Sequence, residues 1–444
     1  MPAPVLDQAE RIPPGVREAM DWAWRRRWFK PQPTRLAKVQ DVVVVKEGLV
    51  FTRTLDLIAE TITQHDERDI GEGRAQAEAA FAAQPVPADT TTAGDLILLC
   101  RKRGAQNYGH FLIELLPKVW AARQRLALPF RVMIEDVGPA LAGVMRQCLA
   151  LAGIPEHDLM VCGAEPVMVG QLLLVDGITE HGSYMAPLVM RALDAITADI
   201  APEGAERLLV LRKPRSARAL ASEESVIEAA RGYGFVPIIP EELPWITQVA
   251  AFKAARQVVG VMGAAMTNVA FCKAGTEVTI LAPDIMPDTF YWFISGLRGL
   301  AYLELRCPSL PPNRGPTPWD GEVLVSPERF DTVFGPGRET LMPQAPHDWR
   351  RRATIMDAMF DDEAYCGADP ALEANRLDPR THYDLYGWRE GRNPSGWIST
   401  KRSLELYPEV AARGECPLFH AILYADDNQL TALKAMRGQN IWPG

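Results

Sequence analysis

The sequence lacks three features that would each place it in a protein class. Its 444 residues contain seven cysteines, an odd number without a Cys-x-x-Cys pair, so neither a disulfide framework nor a cysteine zinc site is indicated. No apolar run approaches about 18 residues, and the N-terminus has no signal-peptide core. The net charge is −9, so the chain lacks the excess of basic residues that binding to nucleic acids requires. We therefore expect a cytoplasmic protein without a nucleic-acid partner.

A basic and aromatic run between Trp22 and Lys30 has two interpretations. Such a run suits a peripheral contact with the inner face of a membrane. The alternative, which we favour, is a docked helix or strand that uses its tryptophans as core.

Short apolar runs alternate with helical patterns through most of the chain. Leu141, Val144, Met145 and Cys148, for example, share one helical face. This alternation predicts βαβ units, an α/β fold with parallel strands, and two facing Rossmann-like blocks near 95–200 and 205–310. The expected strands lie at 42–45, 49–51, 96–100, 131–135, 172–175, 208–211, 235–239, 258–261 and 278–281.

The same patterns suggest domain boundaries. We expect an N-terminal extension at 1–34, a first Rossmann-like domain at 35–203, a second at 204–320, a linker or return segment at 321–355 and a repeat module at 356–444. In that module Pro370, Ala374, Pro379, His382, Leu385 and Tyr386 recur 38 positions later as Pro408, Ala412, Pro417, His420, Leu423 and Tyr424. Two such units are too few for a free solenoid, so we expect them to pack on each other or on the main body.

The first segment that could carry chemistry is 258–268, in which a buried strand runs through Gly263 and Ala264 into a helix with Thr267 and Asn268. Small residues let backbone amides approach a ligand closely, and the start of a helix favours a diphosphate. The alternative is tight helix–sheet packing alone.

The second segment follows the predicted strand 208–211 and holds Arg212, Lys213, Arg215 and Arg218. Ligands bind at the carboxyl ends of parallel strands, and cations there could neutralise a diphosphate. A solvated basic cluster is the alternative.

The third segment places Asn107, His110 and Glu114 on one helical face, and Pro117 predicts a kink after it. A carboxylate beside an imidazole could deprotonate a hydroxyl. The alternative is an N-cap at Asn107 and a structural His–Glu pair.

Together the three segments resemble the family-61 glycosyltransferases, inverting enzymes of GT-B fold, over roughly residues 35–310. The resemblance is carried in order by NYGHFLIELLPKVWAA, LVLRKPRSARALASEESV and EELPWITQVAAFKAARQVVGVMGAAMTN. It implies Glu114 or His110 as the catalytic base, and Asn107 on the acceptor side. It implies a nucleotide-sugar donor pocket at Arg212, Arg218, Glu223, Gln248, Gly263, Ala264, Thr267 and Asn268.

Four positions depart from the family pattern. Met262 stands where the family usually has His, Ser222 where it has Asn, Ile280 where a Glu often contacts the donor, and Glu114 where Asp is commoner. Met262 and Ile280 motivate a second hypothesis, a nucleotide-binding or scaffolding relative without turnover. An NAD-dependent oxidoreductase is a third, although a GxGxxG motif is absent.

The resemblance further implies a UDP-sugar as donor, no required metal or other cofactor, and a glycan or glycoconjugate acceptor in bacterial surface or capsular polysaccharide synthesis. The C-terminal repeat resembles a module of bacterial surface-polysaccharide proteins. For it we expect docking of a protein partner or self-association, with structural capping as the alternative.

Overall fold

The computed structural model contains two six-stranded sheets with helices packed against them, which confirms the α/β fold. It describes residues 5–7, 9–26, 29, 32–83, 95–213, 217–310, 317, 320–339, 349–367, 372, 379–424 and 426–436. The strands are β1 (Val5–Asp7), β2 (Arg35–Val44), β3 (Val50–Thr52), β4 (Leu96–Cys100), β5 (Arg131–Glu135), β6 (Leu159–Cys162), β7 (Val167–Asp176), β8 (Thr179–Glu180), β9 (Tyr184–Met185), β10 (Arg207–Val210), β11 (Val236–Ile238), β12 (Gln257–Val261), β13 (Glu277–Pro283) and β14 (Ala301–Cys307).

The first sheet has the order β3-β2-β7-β4-β5-β6. Strands β7, β4, β5 and β6 run parallel, whereas β2 runs antiparallel to both β3 and β7. The run Leu96–Cys100 is apolar throughout because β4 lies inside the sheet and is covered on both faces. The antiparallel pair makes this sheet mixed rather than purely parallel.

The second sheet has the order β1-β14-β13-β12-β10-β11, and all of its strands are parallel. Their carboxyl ends therefore meet at one edge, where the loops after β10, β12 and β13 lie together. A third, two-stranded sheet of β8 and β9 forms a hairpin around residues 181–183. These loops carry most of the side chains discussed below.

Between β1 and β14 helices alternate with strands as the pattern predicts, and the helices from Phe330 onward follow β14. The α-helices are Pro14–Arg26, Glu67–Ala83, Tyr108–His110, Leu116–Arg125, Pro139–Leu151, Leu188–Ile196, Glu223–Gly232, Trp245–Ala254, Phe290–Arg298, Phe330–Phe334, Pro336–Glu339, Trp349–Met359, Asp362–Gly367, Pro379–His382, Thr400–Leu406, Pro408–Arg413, Pro417–Tyr424 and Asp427–Met436. None of the helices in the described part of the chain combines the length and apolarity needed to span a membrane.

A π-helical turn, Phe111–Leu115, joins the helices that end at His110 and begin at Leu116. Pro117 has no amide hydrogen, so a regular helix could not continue its hydrogen bonding back into this turn. The irregular turn replaces the predicted kink. All five of its residues are buried, including Glu114.

The N-terminal residues pack on the second sheet. Strand β1 pairs with β14, and the helix Pro14–Arg26 buries Met20 and Trp24. Phe29 packs edge-on against Trp292 and Phe293. The interpretation of the basic and aromatic run as core therefore holds for Trp24 and Phe29, whereas Arg27, Trp28 and Lys30 lie outside the described residues.

The C-terminal repeat folds around one apolar core. Both units contribute to it, with Tyr383 and Trp388 from the first and Leu418 from the second. Pro379 and Pro417, which correspond in the repeat, each begin a helix, whereas Pro370 and Ala374 lie outside the described residues. In the described residues the two units thus share this core, to which the preceding segment adds Ile355 and Phe360. The turn Tyr383–Gly387 also contacts the helix Pro14–Arg26.

Candidate active site

A buried hydrogen-bond network joins the two large sheets. The Tyr108 hydroxyl accepts from Trp245 Nε1 at 2.9 Å and donates to Asn268 Oδ1 at 2.6 Å. Asn268 Nδ2 donates to Gln248 Oε1 at 3.1 Å, and Gln248 Nε2 donates to the Leu243 carbonyl at 3.0 Å. Tyr108 comes after β4 of the first sheet, whereas Trp245, Gln248 and Asn268 lie in helical segments that connect strands of the second sheet. The network therefore fixes the elements around one sheet against those around the other.

Beside this network the backbone of Gly109 lies directly against Thr267. A Cβ placed on Gly109 would come within 2.7 Å of Thr267 Oγ1, closer than van der Waals contact allows. Asn107 Oδ1 accepts the Gly109 amide hydrogen at 2.8 Å, so Asn107 acts as the N-cap of this helix. The helix that leads to His110 therefore touches the loop that follows β12.

Three side chains meet at Glu114, which is 4% exposed. His110 Nδ1 lies 2.7 Å and His181 Nδ1 2.9 Å from Glu114 Oε1. Lys102 Nζ donates to Glu114 Oε2 and, at 3.1 Å, to Gln64 Oε1. The two imidazole rings are 4.7 Å apart. One carboxylate thus holds two histidines and a buried ammonium group.

The surroundings of Glu114 set its ionisation. Burial alone would raise its pKa, but hydrogen bonds from His110 and His181 and the charge of Lys102 together lower the pKa far below the usual glutamate value. A carboxylate of such low basicity accepts a proton reluctantly, whereas it can orient an imidazole and stabilise its protonated form.

His110, Glu114 and His181 also form a set of metal-ligand types, because their donor atoms lie within 4.8 Å of one another. Two histidines and a carboxylate can hold zinc or iron. Lys102, however, contacts the Glu114 carboxylate and lies 3.3 Å from His110 Nδ1. The Lys102 ammonium group would repel a divalent ion at this position. The residues are therefore better suited to holding the Lys102 side chain than to binding a metal.

Arg212 and Arg218 lie near each other at the carboxyl end of β10. The pKa of Arg212 is lowered by burial and by the positive charge of Arg218. A Cβ on Gly263 would collide with Arg212 Nη1, so a larger residue here would displace the guanidinium from its present position. Asp320 lies 3.8 Å from Arg218 Nε and holds that arginine in place. Two half-buried guanidinium groups of like charge favour an anionic ligand between or beside them.

Tyr291 and Asp288, neither of which stands out in the sequence, adjoin these arginines. Burial and the negative charge of Asp288 raise the pKa of Tyr291, whereas Arg218 and Arg212 act against the rise. Asp288 Oδ1 accepts the Phe290 amide hydrogen at 2.7 Å. Burial raises the pKa of the Asp288 carboxyl.

The other residues predicted for the donor pocket are dispersed. Lys213 is exposed, Ala264 and Glu223 are half-buried, and burial raises the pKa of Glu223. Ser222 precedes that helix in a left-handed conformation, φ 54°, and makes no capping bond. Arg215 lies outside the described residues. The structure thus brings Arg212, Arg218, Gly263 and Thr267 together. The side-chain amides of Gln248 and Asn268 instead form hydrogen bonds within the buried network.

The two positions that depart most from the family pattern are both in the core. Met262 and Ile280 are each 0% exposed. Ile280 lies in the middle of β13, where its register partner in β14 is Glu304. Glu304 in turn is bound by Tyr302 and Arg306. The carboxylate of this region is therefore that of Glu304 on the neighbouring strand β14, and Arg306 neutralises its charge.

Sequence reasoning missed Lys102 and His181. Lys102 lies just after β4, so the rule that selected Arg212 after β10, a cation at the carboxyl end of a parallel strand, could have found it. His181 lies at the tip of the β8–β9 hairpin and carries no motif. Its proximity to Glu114 depends on the fold.

The segment between Tyr108 and Thr279 holds most of these groups. Residues 108–279 match the family model Glycosyltransferase 61. The match supports a glycosyltransferase, and it spans His110, Glu114, His181 and both arginines, while Lys102 and Asp288 lie outside it. Comparison with curated proteins gave no match.

Proposed function

We propose that the chain is an inverting glycosyltransferase of GT-B type that transfers a sugar from a nucleotide-sugar donor to a hydroxyl group of a glycan or glycoconjugate. The observation that carries the proposal is the contact of Gly109 with Thr267. Through this contact, the helix that leads to the imidazole–carboxylate centre touches the segment after β12, and Gly263 in that segment lies against Arg212. Acid–base groups and anion-binding groups are the two requirements of the reaction.

The base in this proposal is an imidazole that Glu114 orients. His181 has the better access, since 31% of its side chain is exposed compared with 15% for His110. With Nδ1 donating to Glu114, the Nε2 lone pair takes the proton of the acceptor hydroxyl. The oxygen then attacks the anomeric carbon while the opposite carbon–oxygen bond breaks and its electron pair leaves with the nucleotide diphosphate.

Arg212 and Arg218 serve the leaving group. They neutralise the diphosphate as its negative charge grows, so that electrostatic stabilisation comes from the chain's own cations. Gly263 belongs to this arrangement because it leaves room for the Arg212 guanidinium. The proposal further includes a UDP-sugar as the donor and a cytoplasmic location of the enzyme. The acceptor is a glycan or glycoconjugate in bacterial surface or capsular polysaccharide synthesis.

The test is nucleotide release from a panel of UDP-, GDP- and CMP-sugars, followed by NMR of the product's anomeric configuration. His181→Ala should lower kcat by about 10² to 10⁴-fold, the usual loss for a general base. His157→Ala is a matched control, because the side chain of His157 is 82% exposed. A product with retained configuration, or equal turnover by both variants, would contradict the proposed mechanism.

A nucleotide-binding relative without turnover is the second candidate. The buried thioether of Met262, at the position where the resembled family usually has His, favours it. In that case Arg212→Ala would abolish nucleotide binding although the wild type releases no nucleotide from any donor. Arg256→Ala is the control, since the Arg256 side chain is 77% exposed and lies at the opposite end of β12.

A further inference from the structure

A cavity of about 570 Å³ opens beside His181. It lies between the helix Pro14–Arg26, the tip of the β8–β9 hairpin and the loop that follows β13. Its volume is in the range of small-molecule sites in proteins. The residues that define its character are Ala19, Met20, His181, Ser183, Met286 and Asp288.

One wall of this cavity is apolar and the opposite groups are polar. Met286 is partly exposed and offers apolar surface of the kind that covers the C–H face of a sugar ring, whereas Met20 lines the cavity but is only 1% exposed. His181 and Asp288 offer hydrogen-bonding atoms, and Ser183 Oγ lies 3.2 Å from the Glu180 carboxylate. Such a pairing of an apolar face with several directed polar groups suits a hydroxyl-rich ring.

The charges around the cavity argue for a neutral ligand. Asp288 is fixed at the wall by its bond with the Phe290 amide, and Glu180 lies behind Ser183. Of the nearby arginines, Arg306 is paired with Glu304 inside the core, and Arg218 is the group that the proposed function assigns to the diphosphate of the donor. An anionic sugar would therefore meet like charge from Glu180, and from Asp288 in its ionised form.

We propose that this cavity is the acceptor site, that it takes a neutral sugar, and that the helix Pro14–Arg26 forms one of its walls. The inference rests on the proposed glycosyl transfer and deepens it. His181 joins the two sites because it binds Glu114 on one side and lines the cavity on the other. A sugar in the cavity would thus present its hydroxyl to the imidazole, while the donor occupies the side of the arginines.

The experiment measures binding first, by saturation-transfer NMR with methyl β-glucoside, methyl β-galactoside and methyl β-xyloside as neutral probes and methyl β-glucuronide as the anionic one. Ala19→Trp places an indole in the cavity and should weaken binding of the neutral probes about tenfold or more, a loss of about 1.4 kcal/mol. Glu18→Trp is the matched control, because Glu18 is exposed on the same helix and does not line the cavity.

A second variant, Asp288→Asn, keeps an oxygen for the Phe290 amide and removes the charge. It should narrow the preference for methyl β-glucoside over methyl β-glucuronide. Tighter binding of the glucuronide than of every neutral probe by the wild type, no binding of any neutral probe, or equal loss in Ala19→Trp and Glu18→Trp would each overturn the inference.

Transfer separates this inference from the proposed function. With a working donor, Ala19→Trp should raise the KM for the neutral acceptor about tenfold more than the KM for the donor. Glycoside binding that depends on Ala19 but comes with no nucleotide release would overturn the proposed function and leave the cavity assignment standing. Turnover that Ala19→Trp does not alter would overturn the cavity assignment.

Discussion

Replacing Gly109 by alanine tests the contact on which the proposed function depends. The added Cβ would lie 2.7 Å from Thr267 Oγ1, and Thr267 is 0% exposed, so its side chain has no room to turn away. Helix propensity favours alanine by up to about 1 kcal/mol. Overpacking a filled core costs about 1–3 kcal/mol, so after a gain of about 1 kcal/mol is subtracted we expect a net loss of up to about 2 kcal/mol.

Calorimetry of four proteins measures this effect: the wild type, Gly109→Ala, Thr267→Ala and the double variant. Each kcal/mol shifts Tm by about 2–4 °C in a domain of 150–250 residues. With Thr267 truncated, the next atom is Asn107 Oδ1 at 3.2 Å, which needs to yield only slightly. Gly109→Ala should therefore destabilise the wild type but be neutral or stabilising in the Thr267→Ala background, and this change of sign is the coupling between the sheets.

Gly143→Ala supplies the control, because no atom lies within 4 Å of a Cβ at that exposed helical glycine. It should raise Tm in every background. Equal losses from Gly109→Ala with and without the Thr267 hydroxyl would show that the helix before His110 does not press on the donor loop, and the reasoning would fail.

Three further predictions concern the same region. Tyr108→Phe removes the hydroxyl that bridges the two sheets and should cost about 1–3 kcal/mol in urea unfolding, since two buried partners lose their bond. Glu114→Gln leaves Lys102 charged and buried and should cost about 3–5 kcal/mol; Lys102→Met in addition should restore stability but not turnover, and restored turnover would refute the role of Glu114. The lowered pKa of Glu114 stabilises the fold above the ordinary glutamate value of 4.5, and this stability is lost as the pH falls below that value. The Tm of the wild type should thus fall more steeply between about pH 5 and 3 than that of Glu114→Gln, and parallel curves would count against the pKa shift.

Much of the parallel sheet could be predicted from apolar runs, and β14 shows where that signal ends. The strand Ala301–Cys307 carries Tyr302, Glu304 and Arg306, so its sequence has the alternation of a half-exposed segment. All seven residues are buried because those polar side chains satisfy one another inside the core. Strand β1 has three residues, too few for any periodic pattern.

The candidate site divides in the same way. The pair His110 and Glu114 could be predicted because four positions along a helix fix their separation. The network around Asn268 could not, because its partner Tyr108 comes from the other sheet. A polar residue after a buried strand fits a ligand contact and a buried hydrogen bond equally well until the tertiary neighbours are known.

The pairing of β1 with β14 has a consequence for how the chain folds during synthesis. A ribosome adds about 5–20 residues per second, so Val5–Asp7 emerge on the order of tens of seconds before Ala301–Cys307 exist to pair with them. Throughout that interval Met20, in the helix that follows, also lacks its contact with Arg306 of β14. Val5–Asp7 therefore reach their place in the second sheet only after β14 has been made, although they are made long before it.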